Sequence, residues 1–220
     1  MRGTEPPLIE YFDTLYQAMG PQGWWPAETP FEVVVGAFLT QGTGWKNVEL
    51  AIQALLDARL LTFEAIEKAP VERIERVIRS SGYFRQKARK LKAFCEFVRR
   101  EYNGSLDQLF DEPTAELRRR LLNVFGIGPE TADTIMLYAA GHPTFVVDTY
   151  TKRILVRHGW ADEKATYDQI REKFESRLPP QPRLFNEFHA LIVNIGKNFC
   201  HKQRPKCSEC PLGCFLAEGR

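Results

Sequence analysis

Apolar residues recur every three or four positions along almost the whole chain, and nowhere do they alternate long enough to build a sheet. Leu8, Tyr11, Phe12, Leu15 and Met19 follow this spacing, as do Leu50, Ile52, Leu55 and Leu56. Further helical runs cover residues 71–80, 85–102, 114–124, 130–140, 149–158, 167–178 and 182–198, separated by short breaks rich in glycine and proline. Residues 144–147 alone read as extended, too short and isolated to form a sheet. The pattern predicts an all-α protein.

Composition narrows the class. With 220 residues, 44% hydrophobic and 26% charged, the chain has the make-up of an ordinary globular protein and not of a disordered one. Its longest apolar stretch, residues 33–39, falls far short of the ~20 residues that cross a bilayer. The opening Met-Arg-Gly-Thr-Glu-Pro-Pro has no apolar core of the kind that directs secretion. The expectation is a soluble, intracellular protein, acting as a monomer and without a membrane partner. Net charge is only +2, but its distribution is uneven. Ten Lys or Arg fall between Arg73 and Arg100 against Glu75 and Glu96, and a second basic run is Lys197, Lys202, Arg204 and Lys206. Such surfaces suit a polyanion, although solvated helix faces look the same by charge alone.

The most informative local pattern is Leu121-Leu122-Asn123-Val124-Phe125-Gly126-Ile127-Gly128-Pro129-Glu130-Thr131-Ala132-Asp133. One helix ends near Val124, the two glycines make a tight turn, and Pro129 opens the next helix, where its missing N–H costs nothing. Ile127 anchors the turn. N–H groups at such a turn can receive a phosphate, or the segment is simply an αα-hairpin. Twenty residues after Gly128, Asp148 follows Phe145-Val146-Val147 and precedes a helical run. It is placed to cap that helix, and also to act on a nucleotide's sugar–base unit. The two roles are compatible, because a helix N-terminus favours negative charge.

Four of the five cysteines lie in the last 21 residues as Cys200-x6-Cys207-x2-Cys210-x3-Cys214, a metal-binding pattern more than a disulfide framework. Thiolates suit both zinc and iron–sulfur clusters, so spacing leaves the metal open. Cys95 sits in an apolar helical register and reads as core.

The hairpin, followed by Val146-Val147-Asp148-Thr149, resembles the helix-hairpin-helix and aspartate signature of the endonuclease III superfamily of DNA glycosylases. Residues 31–41 resemble the helix ending in the glutamine, here Gln41, that these proteins push into DNA. Gly82-Tyr83-Phe84-Arg85-Gln86-Lys87-Ala88 resembles their Gly-x-Tyr-x-x-Lys-Ala stretch. The resemblance covers nearly the whole chain. It implies two helical domains with a DNA-facing cleft between them, residues 30–141 carrying the hairpin and residues 1–29 with 142–220 carrying the cysteines. The first two cysteine intervals match the superfamily's cluster loop and the last is two residues shorter. The resemblance therefore implies a [4Fe–4S] cluster on Cys200, Cys207, Cys210 and Cys214, with zinc as second choice. Lys202, Arg204 and Lys206, held between the first two ligands, would face DNA phosphates, as would Gly126, Ile127 and Gly128.

Bifunctional members carry a lysine two residues beyond the second hairpin glycine, where this chain has Glu130. A carboxylate cannot form a Schiff base, so the resemblance implies a monofunctional enzyme. Gly-Ile-Gly-x-Glu-x-Ala-Asp, Trp24-Trp25-Pro26 and the aromatic Trp45 are most similar to 3-methyladenine DNA glycosylase III. The implied reaction is hydrolysis of the N-glycosidic bond of an alkylated purine flipped from duplex DNA. Asp148 is then catalytic, and Trp24, Trp25, Trp45 and Glu130 form the base pocket. The alternatives are a mismatch- or oxidised-base glycosylase, a bifunctional glycosylase/lyase using a displaced lysine such as Lys152, and a non-enzymatic DNA-damage-binding module.

Overall fold

The computed structural model describes residues 5–216. Among them there is no strand; twelve α-helices and a few shorter turns of helix carry the fold. The chain divides into two units, one running from Trp25 to His142 and the other combining the residues up to Trp24 with those from Pro143 onward. The divisions fall after Trp24 and His142, compared with 29 and 141 expected from the sequence.

The first helix, α1 (Leu8–Met19), belongs to the discontinuous unit. The continuous unit is built around α2 (Pro30–Leu39), whose residues from Val33 to Leu39 are all buried. A helix apolar on every side has to be central. Thr29 starts it, accepting the N–H of Glu32 at 3.1 Å, and Pro30 takes the first position. Around it come α3 (Trp45–Asp57), α4 (Phe63–Lys68), α5 (Val71–Val77), α6 (Phe84–Tyr102), α7 (Leu106–Phe110), α8 (Thr114–Leu122) and α9 (Pro129–Thr134). The long α6 buries Ala88, Leu91, Phe94, Cys95 and Val98 as one stripe, with Lys87 buried beside it, and exposes Arg85, Arg89, Arg99 and Arg100. After α9 the helix widens into a π-turn at Ile135–Ala139.

The other unit comprises α1, α10 (Thr149–Arg157), α11 (Tyr167–Glu175) and α12 (Pro182–Asn198), with a 3-10 turn at Pro211–Phe215. Phe145 stacks on Phe174 with ring centroids 3.8 Å apart, and Phe185 and Phe188 meet it edge-on. Residues 144–147, read as extended, pair with no strand. Thr144 Oγ1 and Phe145 N donate to Glu175, and Val147 N donates to the Tyr167 hydroxyl, so side chains satisfy this backbone instead.

Candidate active site

The hairpin lies between α8 and α9. Gly126 has φ +85°, a left-handed conformation that favours glycine, and Ile127 N donates to Val124 O at 3.1 Å to close the turn. Ile127 is buried as an anchor, whereas Phe125 is 66% exposed. Gly128 caps α9 with extended backbone and no side-chain acceptor. A bidentate ion pair holds the two helices together: Arg118 Nε and Nη2 donate to Asp133 Oδ1 and Oδ2 at 2.8 and 3.2 Å, and the Asp133 carboxylate is fully buried. Glu130 is exposed on the first turn of α9.

The loop after α2 is fastened by two lysines of α6. Lys87, almost wholly buried, donates to Leu39 O at 2.8 Å and Ser81 O at 2.6 Å. Burial, and secondarily the neighbouring Lys90 charge, pull its pKa down to about 8. Lys90 donates to Gln41 Oε1 at 2.6 Å, and Gln41 Nε2 donates to Gly126 O and Thr131 Oγ1 at 3.2 and 2.9 Å. Gln41 therefore rests on the hairpin. Tyr83, 71% exposed and held at φ +45°, stands beside Gly42. The sequence singles out Gln41 but not Lys90, Thr131 or Tyr83 as site residues.

Trp25 and Trp45 meet edge to face, centroids 5.3 Å apart, and Tyr138 lies 5.4 Å from Trp25. The two indoles, with Gly36, Val48, Glu32 and Glu49, line a recess of about 140 Å³. Trp45 Nε1 donates to Glu49 Oε1 at 2.8 Å. Trp24 belongs to the other unit, where Lys197 Nζ sits 5.7 Å above its ring.

Asp148 caps α10. Its Oδ1 accepts from Thr151 N at 2.7 Å and Thr151 Oγ1 at 2.9 Å, while Oδ2 lies 3.8 Å from His189 Nε2 on α12. The carboxylate is 13% exposed. His189 is buried, and burial lowers its pKa, partly countered by the charge of Asp148. Nothing in the spacing of the sequence marks this histidine. Lys152, one turn along α10, donates to Ala165 O at 2.8 Å.

Three of the terminal cysteines, Cys200, Cys207 and Cys210, line one recess with Ile154, His158, Ile195 and Phe199. Arg157 Nη1 donates to Cys200 Sγ at 2.8 Å, and Cys214, exposed, donates to Pro211 O at 3.6 Å. A Cβ on Gly213 would stand 2.3 Å from Cys207 O, so the loop closes this tightly only with glycine there. Among the described residues no three Cys, His, Asp or Glu side chains are grouped to hold a metal ion. A cluster asks one thiolate per iron, and the four-thiol donor set fits that demand. Lys202, Arg204 and Lys206 are exposed beside it, Lys206 lying 3.9 Å from Glu209.

Residues 35–180 match the HhH-GPD superfamily of base excision DNA repair proteins. The chain belongs to this family. It is 44% identical over 207 residues to a protein of Methanocaldococcus jannaschii named as a candidate DNA repair glycosylase, covering 93% of each chain. It is 29% identical over 183 residues to endonuclease III of Thermotoga maritima, covering 83% of this chain and 80% of that one. The fold superposes on Helicobacter pylori 3-methyladenine DNA glycosylase MagIII, solved with 1,N6-ethenoadenine, with a TM-score of 0.76 and 25% identity, covering 86% of this chain and 97% of that one. This HhH-GPD protein is a DNA glycosylase, an enzyme acting on N-glycosyl bonds. Among the described residues no helix is long and apolar enough to cross a membrane.

Proposed function

We propose that this HhH-GPD protein is a monofunctional glycosylase that removes an alkylated purine from duplex DNA. The observation that carries the reading is the Asp148 carboxylate, nearly buried at a helix N-terminus with one oxygen fixed by Thr151. As the N-glycosidic bond lengthens, its electron pair leaves with the base and positive charge builds on the sugar. A fixed carboxylate stabilises that charge and accepts a proton from the water that adds to C1′. An N3- or N7-alkylated purine is already cationic, leaves neutral, and needs no separate acid. The recess of Trp25 and Trp45, bordered by Glu32 and Glu49, suits such a cationic ring. The likeness to a 3-methyladenine glycosylase supports the same class.

The monofunctional mode is supported by Glu130 at the start of α9 and by Lys152, whose ammonium is engaged by Ala165 O. The hairpin of Gly126, Ile127 and Gly128, the Gln41 loop and the basic residues Lys202, Arg204 and Lys206 serve duplex DNA, and exposed Tyr83 offers an apolar wedge beside Gln41. Cys200, Cys207, Cys210 and Cys214 hold a [4Fe–4S] cluster, which ties down the terminal loop when bound. Mass spectrometry of bases released from alkylated, oxidised and mismatched duplexes tests the reading. Alkylpurines in the supernatant are expected; oxidised or mismatched bases alone would overturn the substrate class.

A further inference from the structure

Gln41 is held at both ends of its amide. Its Nε2 gives its hydrogens to Gly126 O and Thr131 Oγ1, and its Oε1 receives Lys90 Nζ at 2.6 Å. A glutamine that enters the gap left by an extruded nucleotide has to leave all three partners. The carbonyl and the hydroxyl are neutral and exchange readily to water. The ammonium of Lys90 is the group with most to lose, because a half-buried charge needs an acceptor.

The surroundings of Lys90 indicate which acceptor takes over. Its acceptor here is a neutral amide and not a carboxylate. Lys87, one turn earlier on α6, already occupies the carbonyls of Leu39 and Ser81. The aliphatic stem of Lys90 lies across the hairpin turn, so closely that a Cβ on Gly126 would stand 2.3 Å from its Cγ. The ammonium is thus carried to the rim of the turn, where backbone N–H groups suit a phosphate.

We infer that Lys90 is a DNA-phosphate ligand held in reserve by Gln41, engaged only when Gln41 swings into the duplex. The exchange replaces a neutral acceptor with an ionised one, adding charge–charge attraction to a hydrogen bond whose donor is already ionised. Lys90 therefore contributes to discrimination of the lesion complex more than to general affinity. The inference rests on the proposed service of the Gln41 loop to duplex DNA, with Gln41 itself entering the gap as the family resemblance implies.

The test uses the full chain and two duplexes, one undamaged and one bearing a tetrahydrofuran abasic analogue, with binding measured by fluorescence anisotropy across a salt series. For Lys90→Met on the abasic duplex, the slope of log K against log salt is expected to become shallower by about 0.9, the value of one phosphate contact. On undamaged DNA the slope is expected to match wild type, and Lys90→Arg should restore the slope on the abasic duplex and leave that on undamaged DNA unchanged. An unchanged slope on the abasic duplex, or an equal loss on both duplexes, would overturn the inference. Gln41→Ala is the separate control on insertion. It should lose preference for the abasic duplex and, by freeing Lys90, steepen the slope on undamaged DNA by about the same amount. Wild-type preference in Gln41→Ala would instead refute insertion itself, and a missing gain in slope would count against the reserve role of Lys90 alone.

Discussion

Oδ2 of Asp148 lies 3.8 Å from Nε2 of His189, while Oδ1 is taken by Thr151. The carboxylate is thus fixed on one side by its own helix and faced on the other by α12. Asp148→Asn keeps the cap, since asparagine is as good an N-cap as aspartate, but removes the charge. Base release is expected to slow by roughly 10²–10³, the loss typical of a preorganised electrostatic group, with DNA binding and melting temperature little changed. Single-turnover release together with a binding isotherm checks this.

His189 adds a pH signature. Burial holds its pKa below the ordinary histidine value, so the unfolded chain binds the proton first as pH falls. Its contribution to stability is full above about pH 6.5, the ordinary histidine value, and is lost as pH drops toward the folded pKa. Urea melts of wild type and His189→Gln should diverge in slope between pH 7 and pH 5, with the variant less sensitive to acid. Parallel pH profiles would contradict the buried, neutral imidazole.

Much of this architecture is legible in the amino-acid sequence because proline and glycine punctuate it. The helix at 182–198 starts at Pro182 as expected, and Pro129 opens α9. The helices Phe63–Lys68 and Leu106–Phe110 escape detection because six and five residues cannot display a repeat of 3.6. The π-turn at Ile135–Ala139 breaks that repeat without a glycine or proline to announce it. In the site, Gln41 and Asp148 stand out by local context, whereas Lys90, Thr131 and His189 act through partners 49, 90 and 41 positions distant, which leave no periodic trace.

Lys87 should make stability depend on pH in the opposite range. Its folded pKa of about 8 lies below its ordinary value of 10.5, so the unfolded chain holds more protons between these limits. Stability then rises with pH from about 8 to 10.5, by up to about 3 kcal/mol if the shift is fully expressed. Lys87→Met removes that rise but forfeits the hydrogen bonds to Leu39 and Ser81. Denaturant melts of both proteins at pH 7.5, 9 and 10 should show the wild type gaining on the variant as pH increases.

The cysteine loop makes a prediction of composition. Purified without oxygen, the protein is expected to be brown, to absorb broadly near ~400 nm and to carry about four irons per chain, as a [4Fe–4S] centre held by four thiolates does. Cys207→Ser should lose the colour and much of the iron. A colourless protein with one equivalent of zinc would transfer the site to zinc.

Glu130 bears on what happens after the base is gone. It stands two residues beyond Gly128, where the helix N-terminus favours its charge, and it offers no amine to the sugar aldehyde. Lys152 has an amine, but its ammonium donates to Ala165 O and would have to surrender both that bond and its proton to act as a nucleophile. Abasic sites should therefore accumulate intact. A labelled alkylated duplex incubated with the wild type should show full-length strands when run directly and cut strands after hot alkali. Borohydride should trap no adduct, and Lys152→Met should release base at a rate within about twofold of wild type, as expected for a lysine outside the chemical step. Cleavage without alkali, abolished by Lys152→Met, would instead make Lys152 the nucleophile and the enzyme bifunctional.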